Sequence, residues 1–114
     1  MSKKVEKVNS LIQRELGSIL LKDVEFPQGS LVTIIRVETS IDLINARVYI
    51  SVLPQEGAKR VLEILGKLVF FLQKRINKRL KMRPIPKIRF IEEKETGKAA
   101  RIESILEDIR RSQS

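Results

Sequence analysis

The chain has 114 residues, of which 42% are hydrophobic, 32% are charged and only 4% are aromatic, and its 23 lysine and arginine residues outnumber 14 acidic ones. This length and apolar content fit one domain over residues 1–114 and exclude a disordered chain. The lack of cysteine and histidine excludes disulfides, thiolate metal sites and cysteine nucleophiles, and it removes the usual general base at neutral pH.

The first half of the chain predicts a helix followed by two strands. Apolar residues recur at spacings of three and four, as on one face of an amphipathic helix: Val5, Val8, Ile12, Leu16 and Ile19. Pro27 and Gly29 then mark a loop. Residues 31–39 are rich in Val, Ile and Thr, and residues 46–53 alternate apolar and polar side chains. A short link joins these two segments, so we expect an antiparallel pair of strands.

The second half predicts a long helix, a strand and a last helix. The long helix covers residues 56–80, and its core stripe is Val61, Leu65, Val69, Leu72, Ile76 and Leu80. Pro84 and Pro86 end it, and residues 87–91 alternate basic and apolar side chains as in a strand. The last helix carries Ile102, Ile105, Leu106 and Ile109. This order predicts an α+β domain whose three-stranded sheet is covered on one face by helices.

The net positive charge of the chain is concentrated in residues 67–89. This segment has no acidic residue, and the rest of the chain balances 14 basic against 14 acidic side chains. Its basic side chains are Lys67, Lys74, Arg75, Lys78, Arg79, Lys81, Arg83, Lys87 and Arg89. A localised basic field favours a polyanion over a face that serves only solubility, with nucleic acid as the first candidate and an anionic membrane as the second. We expect the lysines to contact phosphates and the arginines to add forked contacts.

Two smaller features have a chemical and a structural interpretation. Phe70 and Phe71 could stack on bases, but we expect the first or the last helix to cover them. Glu92, Glu93 and Glu95 could hold magnesium in a nuclease, but a solvated loop is the simpler interpretation because no further ligand or base is near in sequence.

Several short motifs follow one another in a characteristic order. They are Val32-Thr33-Ile34, then Ser40-Ile41-Asp42-Leu43 with Ala46 and Val48-Tyr49-Ile50-Ser51, then Met82-Arg83 with Pro86, Ile88 and Phe90, and finally Arg101-Ile102 with Ile105-Leu106. In this order they resemble the ribosome-binding factor A family over nearly the whole chain.

The resemblance implies a type II KH-like domain in the order α-β-β-α-β, followed here by a C-terminal helix. It also implies a protein that binds free 30S subunits and their precursors, assists maturation of the 5′ end of 16S rRNA, matters most in the cold and is not an enzyme. The absence of cysteine and of an apolar signal segment favours a cytoplasmic location. We expect a monomer with no cofactor, no metal and no membrane partner. The open alternatives are a generic KH-like RNA- or DNA-binding module, a magnesium-dependent nuclease and a module that binds acidic proteins.

The family is also expected to have a kink, marked by an Ala-x-Gly motif, within its long helical run. The matching positions here are Leu68, Val69 and Phe70, none of which is small. Gly66, which by itself indicates close packing or a bend, is the alternative position for the kink.

Overall fold

The computed structural model describes residues 3–93, and within them the predicted order of elements is confirmed. The elements are α1 (Lys3–Asp23), β1 (Leu31–Thr39), β2 (Asn45–Leu53), a single 3₁₀ turn (Gln55–Gly57), α2 (Ala58–Arg79) and β3 (Lys87–Glu92). The last helix predicted from the sequence, with Ile102 to Ile109, lies outside the described residues.

The three strands form one mixed sheet in the order β1-β2-β3. β1 and β2 are antiparallel, as their short link predicts, and a bulge at Ile35 interrupts their register. β3 pairs with β2 in parallel, with Lys87 opposite Asn45. A parallel pair needs a long crossover, and α2 provides it.

Both helices pack on one face of this sheet. The inward side chains of β2 are Ala46, Val48, Ile50 and Val52, and all four are buried. The apolar stripes of α1 and α2 cover them, with Leu16 and Leu65 fully buried. The architecture is therefore the α+β, KH-like arrangement with one covered face. Val69 is the one member of the predicted α2 stripe that remains partly exposed.

The turn between β1 and β2 is built around one carboxylate. The Asp42 Oδ1 atom accepts hydrogen bonds from the Ser40 hydroxyl at 2.5 Å and from the Ile44 backbone N–H at 3.0 Å. These bonds, that of Ser40 first, lower the pKa of Asp42 below its ordinary value. Leu43 has a φ of +64°, in the left-handed region, and its side chain is nonetheless buried in the core.

A side chain of α2 fastens β3 to the rest of the domain. The Gln73 amide donates to the Pro86 carbonyl at 3.0 Å, and its oxygen accepts from the Ile88 backbone N–H at 2.9 Å. The edge of β3 that faces away from β2 is thereby bonded to α2 at these two groups. This connection fixes where the basic residues of β3 lie relative to those of α2.

None of the helices within residues 3–93 has the length and apolar character needed to cross a membrane.

Candidate nucleic-acid interface

Three lysines form a ridge on the outer face of α2. At about 100° per residue, Lys67, Lys74 and Lys78 fall within an arc of about 40°, opposite the buried Ile76. All three side chains are exposed, and within residues 3–93 none of them forms an ion pair. We call Lys67, Lys74 and Lys78 the lysine ridge. Among the residues that the structure describes, these charges have no acidic partner, so they are available for electrostatic binding of phosphates.

The ridge continues into the loop that follows α2. An open groove here is lined by Lys74, Asn77, Lys78, Leu80, Lys81 and Arg83. Lys81 and Arg83 are both exposed, and the Arg83 guanidinium donates to the neighbouring carbonyl of Met82 at 2.8 Å. Four of the predicted RNA-binding side chains therefore surround one groove, which is a suitable place for a phosphate-bearing chain.

Two of the predicted arginines contact acidic residues of α1. Arg75 lies 3.6 Å from the Asp23 carboxylate, and Arg79 lies 3.3 Å from that of Glu15. Both pairs are partly exposed and screened by solvent, so each contributes only about 0–1 kcal/mol of stability. Their positive charge is partly offset by α1, which leaves the lysines as the stronger attraction for a polyanion.

The two basic residues of β3 lie on a different surface from the lysine ridge. Side chains alternate along a strand, and because Ile88 is buried under the helices, Lys87 and Arg89 point to the uncovered face of the sheet. Arg89 is there the cross-strand neighbour of Arg47. The basic residues of segment 67–89 are therefore divided between two faces of the domain.

The uncovered sheet face carries its own charge network. Arg36 donates to Glu93 at 2.9 Å and to Glu38 at 3.0 Å, and its guanidinium lies 3.9 Å from the centre of the Tyr49 ring. The bond to Glu93, followed by that to Glu38, raises the pKa of Arg36. Arg47 is also paired with Glu38, at 3.3 Å. Arg36 and Arg47 therefore have acidic partners on this face, whereas Lys87 and Arg89 form no ion pair among residues 3–93.

The expectation that α1 covers the two phenylalanines is wrong. Phe70 is 82% exposed and Phe71 is 40% exposed. Both lie outside the buried stripe of α2, and the ion pairs between α1 and α2 lie on the flank of α2 that carries Arg75 and Arg79. The last predicted helix, the other element expected to cover them, lies outside the described residues. The expectation rested on two adjacent phenylalanines within a basic surface, which is rarely left uncovered. Their angle outside the buried stripe of α2 was the signal for exposure.

Gly66 is not a site of close packing. A Cβ placed on Gly66 would have no atom within 4 Å, and the residue is exposed. The helix is continuous through Gly66 and through Leu68, Val69 and Phe70, so none of these positions interrupts it. A bend without interruption at either place stays a prediction.

The acidic residues after β3 do not converge on one site. Glu92 and Glu93 are consecutive and so point to opposite faces of the sheet, and Glu93 is bonded to Arg36. Glu95 lies outside the described residues. Across residues 3–93 there is no group of three acidic side chains that could hold a metal ion.

Comparison with known proteins gives one consistent match. Residues 4–106 match the family profile of ribosome-binding factor A. A ribosome-binding factor A from Akkermansia muciniphila is 33% identical over 109 residues, covering 96% of this chain and 86% of the relative.

Two solved structures resemble the fold. A Thermotoga maritima protein assigned as a ribosome-binding factor A, solved by NMR, is 34% identical with a TM-score of 0.69, over 84% of this chain and 92% of that one. The ribosome-binding factor A of Thermus thermophilus, as a homology model fitted into a cryo-EM map of its complex with the 30S subunit, is 26% identical. Its TM-score is 0.57, over 73% of this chain and 88% of that one.

Proposed function

Because the chain belongs to the ribosome-binding factor A family, we propose that it binds free 30S subunits and their precursors in the cytoplasm and assists their maturation. The observation that carries the proposal is the lysine ridge. It is a row of exposed cations without ion pairs among residues 3–93, on the helix that joins β2 to β3 and next to a groove with two further basic side chains. The Thermus relative found in a complex with the 30S subunit supports the choice of partner.

The proposed mechanism is electrostatic docking on 16S rRNA. Each phosphate that the ridge neutralises releases counterions, so the affinity falls with salt with a slope of roughly 0.7–0.9 per contact. Phosphate contacts position the protein without reading sequence, and the shape of the folded rRNA supplies selectivity. The protein acts as a monomer and without a cofactor in this proposal.

The protein works as a binding factor and not as an enzyme. It favours one local fold of the rRNA by binding that fold more tightly than its alternatives, and the bias cannot exceed this difference in affinity. We propose that the favoured fold exposes the 5′ end of 16S rRNA to processing. The protein's effect on maturation is greatest in the cold in this proposal, since incorrectly paired RNA dissociates more slowly at low temperature.

Reversal of three charges around the groove tests this proposal. The Lys74→Glu/Lys78→Glu/Lys81→Glu variant is expected to lose 30S binding in sedimentation while keeping its fold, because all three side chains are exposed. Lys7→Glu/Lys22→Glu/Lys59→Glu is the control with the same net charge, also at exposed positions but away from the groove. This control should retain most binding at moderate salt.

Sedimentation in lysate of cold-shifted cells distinguishes the two nucleic-acid functions. Migration with free small subunits and their precursors supports the assembly factor. An equal distribution over all fractions that contain RNA would instead support a generic KH-like binder. Unchanged binding by the groove variant would refute the proposed surface.

A further inference from the structure

We infer that Phe70 and Phe71 form a stacking platform for unpaired bases of the RNA. The surface around the lysine ridge therefore binds single-stranded rRNA in preference to fully paired rRNA. The inference rests on the proposed function, because it names the form of RNA that the same surface accepts. Base stacking on exposed aromatic side chains within a basic surface is the usual way of holding single strands.

The two rings lie on either side of the lysines. Counted around α2 from Lys67 at about 100° per residue, Phe70 lies at about −60° and Phe71 at about +40°. Lys74 and Lys78 fall between these angles. A strand whose phosphates follow the lysines would therefore have an aromatic ring on each side for its bases.

Phe70 offers the more open ring of the two. The Arg75 guanidinium lies over the Phe71 ring, 5.2 Å from its centre, and so leaves less of that ring open to a base. Phe70 is 82% exposed and has Gly66 one turn before it on the same flank. Helical side chains lean over the turn that precedes them, and the space above Gly66 is empty to 4 Å. A flat base therefore has room to lie beside the Phe70 ring.

The surrounding charges favour RNA over a protein as the occupant. An apolar protein surface that covered Phe70 would also bury Lys67 and Lys74, and their desolvation would be costly without acidic partners. A polynucleotide supplies both a π-face for the ring and a phosphate for each lysine. We therefore commit to unpaired nucleotides as the occupant.

Three substitutions at Phe70 test the platform with the full chain. We expect Phe70→Ala and Phe70→Leu to weaken binding of a single-stranded RNA 12-mer by roughly 5- to 100-fold, because both lose the stacked ring. Binding of a duplex of the same sequence should change less than twofold. Phe70→Trp should restore single-strand binding and change the fluorescence of a 2-aminopurine placed in the oligonucleotide. Because Phe70 is highly exposed, these substitutions should leave the fold intact, and circular dichroism checks this.

The outcomes of these experiments distinguish failure of the stacking platform from failure of the proposed function. Wild-type affinity for the single strand in Phe70→Leu would overturn stacking, as would equal losses on duplex and single strand. Loss of 30S binding in Phe70→Ala but not in Phe70→Leu would also overturn it, in favour of an apolar protein partner. If the wild type binds the single strand through Phe70 but never sediments with 30S subunits, the platform stands and the proposed function fails.

Discussion

At the β1–β2 turn, one residue adopts a backbone conformation that its side chain disfavours. A φ of +64° at Leu43 costs on the order of 1–2 kcal/mol for a side chain other than glycine. The cost is tolerated because the Leu43 side chain is buried and its N–H donates to the Ser40 carbonyl at 2.9 Å. The Asp42 carboxylate holds the next N–H, that of Ile44, in the same turn. Local polar bonds and core burial therefore support one strained residue.

Asp42 makes the stability of this turn dependent on pH. Its folded-state pKa is lowered, so its contribution is present above the ordinary aspartate pKa of about 3.9 and is lost as the pH falls below that value. We expect Asp42→Asn to flatten the decline of the unfolding free energy between about pH 5 and pH 2. Urea unfolding over a pH series measures this, with Glu25→Gln, an exposed loop carboxylate, as the control. Parallel pH slopes for wild type and Asp42→Asn would contradict the assignment.

Between elements, Gln73 connects α2 to the start of β3 through two hydrogen bonds. Its amide satisfies a carbonyl and an N–H at the start of β3, as a neighbouring strand would. Because the Ile88 side chain is buried, this junction also fixes how deeply β3 enters the core. Such bonding also keeps part of an edge strand from pairing with other chains.

Removing the Gln73 amide should loosen β3 selectively. We expect Gln73→Ala to lower the unfolding free energy by about 1–3 kcal/mol, because it leaves the partly buried Ile88 N–H and Pro86 carbonyl without partners. The matched control is Lys74→Ala, one position along the same helix and exposed. Hydrogen exchange at the Ile88 amide should accelerate in Gln73→Ala and not in the control. Equal unfolding free energies for the two variants would show that the Gln73 bonds add no stability.

Most helices and strands could be predicted from the periodicity of apolar residues. The pairing of the strands could be predicted only in part. The spacing of apolar residues located α1 and α2, and alternation located β2 and β3, because each pattern reflects a single buried face. That β3 is parallel to β2 follows from where the crossover helix returns the chain, which no local pattern reports. The exposure of Phe70 was missed for a related reason. Its residue type suggested burial, whereas its position relative to α1 depends on the packing of two distant segments.

Across the whole molecule, the basic residues predicted as one segment occupy two faces. A helix and a strand follow each other in residues 67–89, and the alternation of β3 turns Lys87 and Arg89 away from the lysine ridge. The sequence could therefore predict which residues carry the charge but not that they would separate. Within residues 3–93, ion pairing then differs between the faces, since Arg36 and Arg47 have acidic partners and the ridge lysines have none.

The salt dependence of 30S binding should distinguish these two faces. We expect the groove variant with Lys74, Lys78 and Lys81 reversed to lower the salt slope by about 2–3, because each lost phosphate contact removes about one. Lys87→Glu/Arg89→Glu should change both the affinity and the slope less, because the proposed phosphate contacts lie along the lysine ridge. Titrations of 30S subunits at 50–300 mM salt measure both variants. A larger loss of slope from the β3 variant would assign the rRNA to the uncovered sheet face instead.

The parallel pairing of β2 with β3 also has a consequence for the order of folding. Asn45 and Lys87 are register partners 42 positions apart in the chain, whereas β1 and β2 meet across a five-residue turn. Contacts between distant positions carry a larger loop-closure cost, so the hairpin can form early and β3 joins late. During synthesis the hairpin leaves the ribosome first, and α2 is anchored on both sides only after residue 93 has emerged. Among the elements within residues 3–93, α2 and the strand β3 that follows it are thus the last to take up their positions.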